Sequence, residues 1–98
     1  MKPKLNQIVY ILIIINHKPY CLNKELVYML GKESFITKTA IEYDVIDECR
    51  IAFNFDSYNI TWFTTLQQAK ESLESMGYKL EKYGYPGQWT CYKKETKK

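Results

Sequence analysis

The chain has 98 residues and a mass of 11.7 kDa, enough for one compact domain. With 46% hydrophobic and 26% charged residues, four Gly and three Pro, it falls outside the disordered and low-complexity classes. The formal net charge of +3 is too mild to select a partner, whereas nine Tyr and a basic complement of thirteen Lys against the single Arg50 are distinctive.

Residues 8–15 form the most apolar run and are rich in β-branched side chains, which predicts a strand buried on both faces, with a buried helix as the alternative. Lys2 and Lys4 precede it as in a secretory leader, but Asn16, His17, Lys18 and Pro19 follow where small residues would mark a cleavage site. Eight residues also fall far short of the roughly 20 needed to cross a bilayer. The expectation is a soluble, cytoplasmic protein with no membrane partner. Asn23 then serves as N-cap for a helix over 24–30 that carries Leu26, Val27 and Leu30 on one side and stops at Gly31.

Thr39 and Glu42 have capping-box spacing, and Ile41, Val45, Cys49 and Ala52 recur behind them at helical intervals, so a helix is preferred there over a strand. The aromatic-rich runs 51–55 and 60–64 flank polar residues 56–59 and predict a β-hairpin. Thr65 and Gln68 form a second capping-box pair. They open the clearest helix, with Leu66, Ala69, Leu73 and Met76 on one stripe and Gly77 as its C-cap. Residues 78–83 and 88–93 read as another hairpin around 84–87, and 94–98 as a frayed tail. The predicted fold class is α+β: a single domain over 1–98, with two β-hairpins and an N-terminal buried strand (or helix) packed with two to three short helices.

Charge is segregated along this order. Residues 1–40 carry six Lys against Glu25 and Glu33, a net +4. Residues 41–75 carry Arg50 and Lys70 against seven carboxylates, a net −5, and residues 76–98 return to +4. Such segregation bears on partners and solubility rather than on fold.

Candidates for chemistry are few. His17, the single histidine, lies near Cys21 but without a signature for nucleophilic catalysis, and two such residues do not complete a metal site. Cys21, Cys49 and Cys91 are odd in number and widely spaced, as expected of buried thiols in a reducing compartment. Neither catalytic residues nor cofactor or metal ligands are therefore assigned, and the chain is expected not to be an enzyme. Two binding surfaces stand out instead. One is an acidic helix face of Glu42, Asp44, Asp47 and Glu48, suited to a basic protein surface. The other is the C-terminal hairpin, where Tyr83, Tyr85 and Tyr92 accompany Lys82 and Lys93 as solvent-facing candidates. Tyr78, Leu80, Trp89 and Cys91 are assigned to packing against the 66–76 helix.

Taken as helices and a wing, residues 5–64 resemble a winged helix-turn-helix, and residues 23–31 are similar to the second helix of many bacterial regulators. That resemblance implies a DNA-binding regulator. It ranks second, because the 31–39 connection is long and four carboxylates on the recognition helix would repel phosphates. One Arg also leaves little for base readout. The favoured expectation is a non-enzymatic modulator or inhibitor acting by protein–protein contact on a host protein or complex. Small size and AT-rich-type composition suggest a phage or mobile element and an anti-defence role.

Overall fold

The computed structural model describes residues 2–39, 52–82 and 87–94. Strand accounts for 55% of the structure against 18% helix, so the fold is mostly β and the α+β expectation is corrected. The strands are β1 (Ile8–Ile15), β2 (Lys18–Leu30), β3 (Ser34–Thr39), β4 (Ala52–Asn54), β5 (Trp62–Phe63), β6 (Tyr78–Lys82) and β7 (Gln88–Lys93). A 3₁₀ turn, Phe55–Ser57, follows β4, and one α-helix, α1 (Leu66–Ser75), lies between β5 and β6.

The run 8–15 is a strand, as its β-branched side chains predict. It returns directly into β2 through a two-residue turn, Asn16 and His17, both with left-handed φ (52° and 63°). Two positive φ values in succession match the type I′ geometry whose twist suits paired strands. Ile13 faces Cys21 and Ile14 faces Pro19, so Tyr20 is an extra residue, a bulge that Pro19, lacking an amide hydrogen, tolerates.

The helix expected over 24–30 is absent: these residues are the second half of β2. Asn23 is a ladder residue rather than a cap. Gly31 ends the strand by turning into β3, its amide donating to Ser34 O at 2.8 Å. A Cβ on Gly31 would lie 3.1 Å from that same oxygen, so the tight turn favours glycine. A second bulge falls between Val27 and Met29, where β2 has one residue more than β3. Val27 and Leu30, three apart, consequently share a sheet face, which is the spacing that imitates a helix.

The expected hairpin of 51–55 with 60–64 is also replaced. β4 pairs with β3 and β5 pairs with β1, so the two aromatic runs join opposite ends of one sheet. The sheet curls enough for the intervening loop to close the gap, and Trp62 Nε1 donates to Asn54 O at 3.0 Å. With residues 8–15 and 24–30 in strands, the winged-helix arrangement is overturned too. Of the helix expected behind Thr39, residues 40–51 lie outside the described residues; Ala52, the last position of its apolar stripe, instead begins β4, and Thr39 itself ends β3.

Among the described residues the paired strands are antiparallel, in the order β4-β3-β2-β1-β5, with β7 also on β2 and β6 on β7. One edge of β2 carries β1. The other is divided, pairing with β7 at residues 21–23 and with β3 at residues 25–30. Alternation along β1 then feeds two cores on opposite faces. Val9 and Ile11 join Val27, Phe35 and Trp62, while Leu12 joins Leu22, Phe63, Ala69 and Leu73. β5 divides likewise, Trp62 to one side and Phe63 to the other. The first core is aromatic: Phe35 meets Trp62 edge-on at 4.9 Å, and Tyr58 meets Trp62 at 4.8 Å.

The α1 and C-terminal hairpin expectations hold. Thr65 Oγ1 accepts from the Gln68 amide at 3.2 Å, and Gly77 adopts φ 84° past the helix end. The capping box is altered in one respect. Gln68 Oε1 accepts from the Thr64 amide and hydroxyl rather than from Thr65, and Gln68 Nε2 donates to Tyr58 Oη at 2.9 Å. Ala69 and Leu73 are buried, and Leu66, Tyr78, Leu80, Trp89 and Cys91 pack around them. Met76, assigned to the apolar stripe, is instead exposed.

The β1–β2 turn gives a direct test. His17→Gly removes a side chain from a left-handed residue at the position where type I′ turns favour glycine. A gain of about 0.5–1 kcal/mol is expected after the added unfolded-state entropy, read as a Tm rise of roughly 4 °C.

Candidate functional site

The antiparallel register carries β7 past β2 toward the β1–β2 turn, and β6 starts at that same end. Lys79 lies opposite Tyr92, and Tyr78 opposite Lys93. The Lys94 amide donates to Gly77 O at 2.7 Å, tying the end of β7 to the end of α1. Lys79, Glu81, Tyr92, Lys93 and Lys94 line an open, shallow depression of about 550 Å³. Within it, Lys79 Nζ lies 3.2 Å from Glu81 Oε1. That pair is solvent-exposed and contributes little stability, so it leaves Lys79 available to a partner.

Tyr92 and Lys93 are thus brought together, as the sequence suggested. Lys82 is not. It lies opposite Trp89 at the far end of the hairpin. Tyr83 and Tyr85 lie outside the described residues, as do Glu42, Asp44, Asp47 and Glu48, so the acidic face is not described.

Sequence reasoning missed the neighbours of the β1–β2 turn. Ile14, Ile15 and Tyr20 are 47%, 48% and 58% exposed, where 8–15 was expected to be buried throughout. Burial on both faces is confined to the middle of β1, from Val9 to Leu12. The signal available was the turn itself, because residues adjoining a two-residue turn reach the sheet's rim, beyond the cover of neighbouring strands. Met76, 49% exposed, and Tyr92, 45% exposed, lie at this end too. The result is a mixed apolar and cationic rim that includes the exposed Lys18.

A second polar feature follows the face of β2 that carries Val9 and Val27. Cys21, Asn23 and Glu25 project from it, since Glu25 lies opposite Val9. The Cys21 thiol lies 3.8 Å from Asn23 Oδ1, and Gln88 is a further hydrogen-bonding neighbour. Burial raises its pKa above the ordinary thiol value. Burial likewise pushes Cys91 up to about 11. Both thiols are free and stay protonated at neutral pH, the opposite of an activated nucleophile. His17 is exposed in the turn and is not the thiol's partner. Among the described residues, no three His, Cys, Asp or Glu side chains gather as metal ligands. Also among them, no helix is long and apolar enough to cross a membrane.

Glu25 is half-buried and accepts from Thr37 Oγ1 at 2.6 Å. Burial raises its pKa above the usual carboxylate value, and the Thr37 bond partly opposes this.

Comparison with family models, curated proteins and solved structures yields no match.

Glu25 makes a pH prediction whose sign is fixed. A carboxyl with a raised native pKa holds its proton longer folded than unfolded. Its contribution to stability is therefore greatest in acid and falls as pH rises from the ordinary carboxylate value through the raised one. Glu25→Gln keeps an acceptor for Thr37 and removes the charge. Its melting temperature should match the wild type in acid and exceed it at neutral pH. Equal melting temperatures at both would refute this account of Glu25.

Proposed function

We propose that this chain is a non-enzymatic binding protein that modulates or inhibits a protein partner by direct contact. The observation that carries this reading is the exposed rim around the β1–β2 turn, where Ile14 and Ile15 of β1 and Tyr20 of β2 reach the same end of the sheet as the close of β7, with β2 between β1 and β7. Large apolar side chains held at the surface by a rigid hairpin lose little conformational entropy on docking. Tyr is also among the residues that supply most interface energy, and flanking aliphatic groups help to exclude water around it. The acidic run Glu42, Asp44, Asp47 and Glu48 adds a charge argument for a partner with a basic surface.

A small modulator of this kind suits a phage or mobile element acting against a host complex, and the cytoplasm is the compartment that suits its free thiols. Tyr92 beside Lys79 and Lys93 supports nucleic-acid contact as the second reading, through stacking and phosphate pairing.

Affinity capture with the tagged full chain from its host's lysate separates the two. One stoichiometric protein, retained after nuclease treatment, is expected. Changing Glu42, Asp44, Asp47 and Glu48 together to Gln or Asn should weaken its capture. Tight DNA binding that falls steeply between low and moderate salt, with no protein captured, would favour the second reading instead.

A further inference from the structure

Five of the exposed large apolar side chains, Ile14, Ile15, Tyr20, Met76 and Tyr92, lie at one end of the sheet, and the cations Lys18, Lys79, Lys93 and Lys94 share that end. The polarity of this rim is specific. Its described carboxylate in the depression, Glu81, is outnumbered there by Lys79, Lys93 and Lys94, the last two extending from the strand end.

Resting on the protein-binding reading above, we propose that this end is the docking surface for an acidic amphipathic segment of a partner protein. In such a segment carboxylates surround one or two large apolar side chains. The segment would cross the end of the sheet, its apolar groups packing on Tyr20 and on Ile14 and Ile15, which project from opposite faces, and its carboxylates would meet Lys18, Lys93 and Lys94.

The other occupants fit less well. A second copy of the chain would bring this cationic rim against itself. An anionic bilayer would need the leading turn, Asn16 and His17, to enter the apolar region ahead of Ile14 and Ile15, carrying its polar side chains and backbone with it. Single-stranded nucleic acid would use Tyr92 and the lysines but gain no stacking from Ile14, Ile15 and Met76.

The test presents a displayed library of random short peptides to the immobilised full chain. Enriched peptides are then synthesised and titrated by calorimetry. The expected sequences combine Asp or Glu with an aromatic or branched aliphatic residue. Their Kd should weaken by about tenfold or more for Tyr20→Ser and for the double change Lys93→Glu and Lys94→Glu, and should weaken with added salt. These side chains are exposed, so melting curves should be nearly unchanged; if Tyr20→Ser fails to fold, the lysine variant alone decides.

Enrichment of basic peptides, no enrichment, or binding indifferent to both variants overturns the proposal. So does tighter binding to oligothymidylate or to phosphatidylserine-containing vesicles that is lost in the same variants. If a lysate protein is captured equally well by both variants, the surface assignment fails while the protein-binding reading stands. If no protein is captured at all, that reading fails as well.

Discussion

The fold depends on the division of one strand edge. β2 has thirteen residues, long enough for β1 to occupy one side while the other serves β7 and then β3 in succession. A strand whose second edge is shared cannot lie in one flat sheet, because its two neighbours follow its twist from different positions along its length. The β3–β4 wing curls over one face and the β6–β7 hairpin joins α1 on the other, which is why the described residues form two cores rather than one. β1 and β5 sit between them and must be apolar on both faces, as Ile11 with Leu12 and Trp62 with Phe63 show.

This division explains which parts of the structure were legible in the sequence. Segments whose order depends on near neighbours were: α1 has its own cap and apolar stripe, β6 and β7 are separated by a short stretch containing two Gly and a Pro, and β1 has a β-branched composition that helices disfavour. Segments whose state depends on distant partners were not. Val27 and Leu30 share a face through a bulge against β3, and that bulge turns a period of two into an interval of three. The spacing is indistinguishable from a helical one until the partner strand is known. Residues 52–54 and 62–63 carry the aromatic content of a hairpin, yet each finds better pairing elsewhere, on β3 and on β1. Nothing local in the sequence records that choice.

The candidate surface divides along the same line. Tyr92 was visible because alternation within one hairpin assigns it away from the α1 core, while Lys93, opposite Tyr78 on the core side, is exposed because it ends the strand. Lys82 was grouped with them by sequence proximity, although antiparallel pairing sends it to the opposite end of the same hairpin. Ile14 and Ile15 were hidden inside an apolar run whose composition says buried throughout. Their exposure follows from position, since β1 outruns the cover of its neighbours as it approaches the turn. Tyr20 was missed for a related reason: it is the residue inserted by the bulge, and an inserted residue escapes the inside–outside alternation of its strand.

Segregated charge acquires a spatial meaning from this arrangement. The N-terminal and C-terminal basic segments are far apart in sequence, but β2–β7 pairing brings Lys18 to the same end as Lys93 and Lys94. Sequence alone therefore describes two separate basic ends, whereas the fold makes one cationic rim from members of both. Lysine suits such a rim, since its long stem covers apolar neighbours while the ammonium stays hydrated until a carboxylate replaces the water. A guanidinium-poor surface lacks the planar forks that read bases or clamp phosphates, so its selectivity must come from the apolar groups it surrounds. At this end those groups are Ile14, Ile15 and Tyr20. Charge then governs approach and orientation, and the shape of the apolar contact governs which partner is kept.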